Sequence, residues 1–183
     1  MITRDEMEKA VARTLKMFDR AGIALTAEER GRIEVADFGL SDLERVGLQI
    51  LTYVNTDRVC AKEMALFPGQ TCPEHRHVGS AGMPGKEETF RCRAGEVWLY
   101  VEGEPTPDMR AAAFPSDATV FHEVVLKPGM QYTIYPDTRH WFQGGPDGAV
   151  VSEFSTRSTD ETDVFTDSAV ERETKIGDGN ETL

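Results

Sequence analysis

The sequence predicts a mainly β protein, a jelly-roll barrel or sandwich preceded by a helical section. Three observations lead there. From Gly47 onward the chain breaks into about eight or nine short strand-like runs separated by Pro, Gly, Asn and Asp turn signals. Before Gly47, apolar residues recur at helical spacing. Within the strand-rich part stands an H-x-H pair, His75 and His77. Strand side chains alternate faces, so these imidazoles project from one side about 7 Å apart, close enough to share one ion.

The helical section is 1–46. Thr3 and Glu6 form a capping-box signature, and Met7, Val11, Leu15 and Phe18 then recur at helical spacing until Gly22. A second capping box, Thr26 and Glu29, opens a weaker helix. This region carries no cluster of chemically useful residues and is expected to pack on the main body.

The β body is 47–172. Its runs are GLQILTYVN, RVCAKEMALFPGQ, TCPEHRHV, EETFRCRAG, EVWLYVEGE, FHEVVLKPG, MQYTIYP, RHWFQGG and AVVSEFS. The Pro- and Ala-rich stretch EGEPTPDMRAAAFPSDA reads as an exposed loop between two halves, and the polar tail 173–183 is expected to fray.

Composition narrows the function. Against 20 basic residues stand 32 acidic ones, a net charge of −12 in 183 residues. Such a surface repels nucleic acid and anionic membrane. No apolar run approaches the roughly 18 residues of a membrane span, and the charged amphipathic start lacks a signal-peptide core. The three cysteines (Cys60, Cys72, Cys92) show no C-x-x-C spacing and read as free thiols, which points to the cytoplasm.

The surroundings of the H-x-H pair resemble the first motif of the cupins: a glycine, five residues, H-x-H, a short gap, a glutamate, six residues and a glycine. Gly69 precedes His75 by five residues, and Glu88 precedes Gly95 by six. The gap VGSAGMPGKE is longer than the motif's and Gly-rich, so it is expected to loop out and return Glu88 to its place. The second motif is altered: Gly129 leads to His140 with Thr138 near the expected glycine and one residue fewer before the histidine. His122 lies outside the motif. The resemblance implies a metal site of His75, His77, Glu88 and His140. Three imidazoles and one carboxylate suit Mn²⁺, Zn²⁺, Co²⁺ or Fe²⁺, with positions open for substrate; ligand hardness together with the family resemblance puts Mn²⁺ first.

A narrower resemblance covers about Leu51 to Arg172. EHRH, GKEETF-x-C-x-x-G-x-V-x-L-Y, PDTRHWFQ and SEFST-x-S-x-D-E-x-D-V-F are together similar to the cupin D-lyxose ketol-isomerase family. It implies an aldose–ketose isomerase acting on D-lyxose and D-xylulose, and also on D-mannose and D-fructose. Lys86 and Glu153 become active-site residues by this resemblance, Glu153 as the general base. Independently, Lys86 shares a face with Glu88, where its neighbours are expected to lower its pKa. Glu153 shares a face with Val151, and a carboxylate on an apolar face is costly unless it is paired or at work. One of Asp160 and Asp163 is expected to bind a sugar hydroxyl or close the pocket. Phe90 and Phe142 lie two residues past a ligand and can wall the sugar's C–H face.

Other readings stay open from the sequence: an Fe²⁺-dependent cupin dioxygenase, a sugar-binding cupin without turnover, or a hydride shift in place of proton transfer. A phosphosugar isomerase ranks lower because no Gly-rich helix-entry loop is present. Sheet edges need covering, which suggests a homodimer.

Overall fold

Two long antiparallel strands organise the molecule, a computed structural model that describes residues 1–79, 82–111 and 117–177. They are β6 (Glu88–Val101) and β9 (His140–Ser155), paired from Glu88↔Ser155 to Val101↔His140. The sequence pattern divides each into two strands, because Ala94-Gly95 and the 144–148 stretch look like turns. They are bends instead, with register shifts at Cys92/Ala94 and Gly95/Val97. At Gly95, φ is +70° and an added Cβ would lie 2.0 Å from the Gly148 carbonyl oxygen. Only glycine lets the two backbones meet there while the sheet curls.

Curling lets each long strand serve two halves of a jelly roll. On the outer edge of β6, β8 (Gln131–Ile134) pairs with its first part and β7 (His122–Leu126) with its second. On the outer edge of β9 the order reverses. β5 (Thr71–Arg76) pairs with its start, and β4 (Cys60–Leu66) with its end. Beyond β4 come β3 (Leu48–Asn55) and β2 (Glu34–Ala36), and β10 (Val164–Phe165) pairs with β5. The inner faces bury Leu48, Ile50, Met64, Leu66, Phe90, Leu99, Phe142 and Val151.

The N-terminal section covers the outer face. Both capping boxes form, at Thr3–Glu6 and Thr26–Glu29. Helix α1 (Arg4–Arg20) buries Ala10, Thr14 and Phe18, and Phe18 packs with Ile23, Leu51, Ala65 and Val150. The second helix is a single turn, α2 (Ala27–Arg30), which buries nothing. A polar turn without an apolar face has no tertiary support for elongation. Downstream, the chain becomes β2 rather than helix.

Two loop expectations change. Ile176–Gly177 (β11) pairs in parallel with Ile2–Thr3 (β1), so the described start of the tail is tied down; 178–183 lie outside the described residues. Of the Pro- and Ala-rich stretch, 112–116 lie outside them as well. Its described flank includes Ala111, which is buried and donates its N–H to the Tyr100 hydroxyl beside the Tyr100–Trp141 stack. Among the described residues no helix is long and apolar enough to cross a membrane.

Candidate metal centre and active site

The strand registers bring the predicted ligands together. His75 lies directly opposite His140 across β5 and β9. A bulge between Cys72 and His75 contains Pro73, a residue with no N–H to give a regular ladder. His77 follows β5, and the long insert then returns the chain to Glu88 at the start of β6. Gly85 makes that return possible: a Cβ there would lie 1.9 Å from the His77 carbonyl oxygen. Ser80 and Ala81 of the insert lie outside the described residues.

One ligand atom from each of His75, His77 and His140 lies within 4.8 Å of the others. Each Nδ1 is engaged: His75 with Pro73 O at 2.8 Å, His140 with Thr138 O at 3.0 Å, and His77 with Asp163 Oδ1 at 2.5 Å. Acceptors on all three Nδ1 atoms fix the tautomer that leaves Nε2 as the donor atom for a metal. Glu88 Oε1 lies 3.2 Å from His77 Nε2 and 3.1 Å from His140 Nε2. Even so, His140 Nε2 is fully buried without a hydrogen bond. An orphaned imidazole nitrogen amid two other imidazoles and a carboxylate fits a divalent cation. His122 is elsewhere, on β7, with its Nδ1 against Glu104 O.

The remaining predicted residues line the same small cavity, of about 30 Å³. Phe90 and Phe142 meet edge to face there, with ring centroids 5.0 Å apart. Trp141 faces away from them and stacks on Tyr100. Glu153 sits opposite Phe90 on β6 and opposite Lys62 on β4. Lys86 Nζ lies 2.7 Å from Glu88 Oε2, 3.4 Å from Glu153 Oε1 and 3.3 Å from Asp160 Oδ1. Both candidate aspartates reach the site. Asp163 holds His77, and Asp160 lies among Lys62, Lys86 and Ser158.

The electrostatics correct one expectation. Burial disfavours the Lys86 ammonium, but Glu153, Glu88 and Asp160 outweigh it and hold its pKa well above the ordinary lysine value rather than below it. A lysine among three carboxylates stays charged. Burial, then His140 and His77, push His75 well below its ordinary value and keep it neutral. His77 differs: burial lowers it, but Glu88 and Asp163 raise it to about 9.

Sequence reasoning missed Lys62, Ser158 and Arg172. Lys62 had a readable signal, since it interrupts the inward-facing series Cys60, Met64, Leu66 on β4. Ser158 and Arg172 lie in irregular segments with no periodicity to betray them. A larger cavity between Arg45, Glu74 and Asp167 lacks such chemistry. Its buried Glu74 is satisfied by Thr119, Val120 and Thr166.

A curled double-stranded β-helix with histidines and a glutamate converging inside it is a cupin. The fold matches that of sugar isomerases: L-ribose isomerase from Acinetobacter sp. DL28 in complex with L-ribose aligns at a TM-score of 0.80 and 18% identity, covering 96% of this chain and 98% of that one. L-ribose isomerase from Cellulomonas parahominis aligns at 0.79 and 20% over the same shares. No family model matches the chain. Sequence relatives are much nearer. D-lyxose ketol-isomerase from Cohnella laeviribosi is 63% identical over 91% of this chain and 93% of its own length. D-lyxose/D-mannose isomerase from Thermosediminibacter oceani is 55% identical over 97% and 100%. The chain belongs to the D-lyxose ketol-isomerase family and is an aldose–ketose isomerase.

Proposed function

We propose that the protein interconverts D-lyxose and D-xylulose, and more slowly D-mannose and D-fructose, by proton transfer through a cis-enediolate. The observation that supports this most directly is the placement of Glu153 and Lys86, 3.4 Å apart and buried, in the cavity that His75, His77 and Glu88 also line. His75, His77, His140 and Glu88 would hold one divalent cation, Mn²⁺ first by donor hardness, which when bound polarises the O1/O2 end of the sugar as a Lewis acid. Glu153 takes the proton from C2 of the aldose. The Lys86 ammonium gives a proton to O1 and recovers one from O2, and Glu153 then returns its proton to C1. Phe90 and Phe142 wall the sugar's C–H face and exclude water. Asp160 holds both lysines in place.

Turnover in deuterated water tests this. Solvent deuterium entering C2 of D-lyxose or C1 of D-xylulose supports proton transfer; complete retention of substrate hydrogen assigns a hydride shift instead. Glu153→Gln is expected to lower kcat by about 10²–10⁴-fold with bound metal unchanged, and near-normal turnover would remove Glu153 from the role. Metal identity is read by restoring chelated enzyme with Mn²⁺, Zn²⁺, Co²⁺ and Fe²⁺ in turn. The three free, buried cysteines are in keeping with a cytoplasmic setting. The homodimer inferred from sheet edges is measured by light scattering.

A further inference from the structure

The steps above leave Lys62 without a task. It is buried, at 4% exposure, on an inward-facing position of β4 between Cys60 and Met64. An apolar side chain would pack there without the cost of desolvating a charge. Its ammonium is paired three ways: 2.8 Å from Ser158 Oγ, 2.6 Å from Asp160 Oδ2 and 3.6 Å from Glu153 Oε1. The pairing with Glu153 follows from strand register, since the two residues stand directly opposite each other on β4 and β9.

The contacts of Glu153 are one-sided. Lys62 at 3.6 Å, Lys86 at 3.4 Å and the Ser155 hydroxyl at 3.0 Å all meet Oε1. Among the described residues no hydrogen bond falls on Oε2. A carboxylate anchored through one oxygen has its other oxygen held in a fixed direction and free to accept a proton. Asp160 completes the brace. It touches Lys62, Lys86 and, at 3.6 Å, Arg172, and so ties the turn after β9 to both lysines.

We propose that Lys62 is a positioning residue for the isomerisation: by gripping Glu153 Oε1 and Asp160 together, it fixes the base so that Oε2 is the oxygen that takes the proton. This rests on Glu153 being the base. Lys86 cannot substitute for it, because Lys86 is also committed to Glu88 at 2.7 Å. The charged and titratable groups around the pair are Lys86, Asp160, Arg172 and, on β4 itself, Cys60. Removing the Lys62 charge leaves a buried carboxylate with one cation fewer, which favours its protonated form.

Mn²⁺-saturated Lys62→Met and Lys62→Arg enzymes, assayed on D-lyxose across pH with bound metal measured at each pH, test the assignment. Lys62→Met is expected to lose about 10²-fold in kcat with KM within a few-fold. Its acid limb should move up by about one pH unit, and Lys62→Arg should return the limb to its wild-type position. If Lys62→Met does not fold, Lys62→Gln, which keeps hydrogen bonds and removes only charge, is read in the same way. A folded, metal-loaded neutral variant with near-wild-type kcat, or with lowered kcat and an unmoved acid limb, overturns the proposal. So does a Lys62→Arg limb no closer to wild type than that of Lys62→Met. Glu153→Gln separates the two levels: if it stays active, the base assignment fails; if it is inactive while the Lys62 variants behave as wild type, only the positioning role fails.

Discussion

His77 Nδ1 lies 2.5 Å from Asp163 Oδ1, although the two residues are 86 positions apart. The pairing of Val164 with Arg76 creates this contact by setting the start of β10 beside the end of β5. Asp163 would therefore act on a bound metal through the ring it orients. Asp163→Ala is expected to weaken metal affinity by about 10–100-fold, read by competition with a chromophoric chelator. Unchanged affinity would show that His77 orients itself.

Glu88, and after it Asp163, predict a pH dependence for the chelated protein by outweighing the burial of His77. The folded pKa of His77 is raised from 6.5 to about 9. Its stabilising contribution is thus complete below pH 6.5 and lost as the pH rises through about 9. A metal ligand must be neutral, so metal binding should release a proton below pH 9 and tighten with rising pH until then. Titration calorimetry in buffers of different ionisation enthalpy counts that proton. No proton release at pH 7 would refute the assignment.

At the acid end Asp160 governs. Burial opposes its ionisation, but Lys86 and Lys62 outweigh burial and hold its pKa far below the ordinary 3.8. Its contribution is therefore present above about pH 3.8 and lost as the pH falls below that value. Asp160→Asn should flatten the acid side of the Tm–pH curve, and an unaltered acid side would place the sensitivity elsewhere.

Gly85 makes a steric prediction. An alanine Cβ would sit 1.9 Å from the His77 carbonyl oxygen, a backbone atom that cannot swing aside. Gly85→Ala should cost about 1–3 kcal/mol in urea unfolding and reduce bound metal, since it moves either His77 or Glu88. Full metal content in the variant would mean that the insert accommodates the methyl group.

Phe142 is 2% exposed and packs edge to face on Phe90. Phe142→Ala should destabilise the chelated protein by about 3–5 kcal/mol. A loss below about 1 kcal/mol would show that the cavity collapses around the gap.

Sequence by itself determined the β-rich architecture and the capped first helix, because each rests on spacing along one stretch of chain. Alternation put His75 and His77 on one face, and turn residues separated most of the strands. Chain-local signals misled where a bend imitates a turn: Gly95 ends no strand, since its positive φ serves a bulge that only the crossing of β6 and β9 requires. Tertiary structure alone decided which carboxylates and cations meet. Whether Asp160 is solvated or buried depends on Lys62 and Lys86, 98 and 74 positions away. Ion pairing acts through space between strands brought together by register, so linear periodicity carries almost no record of it.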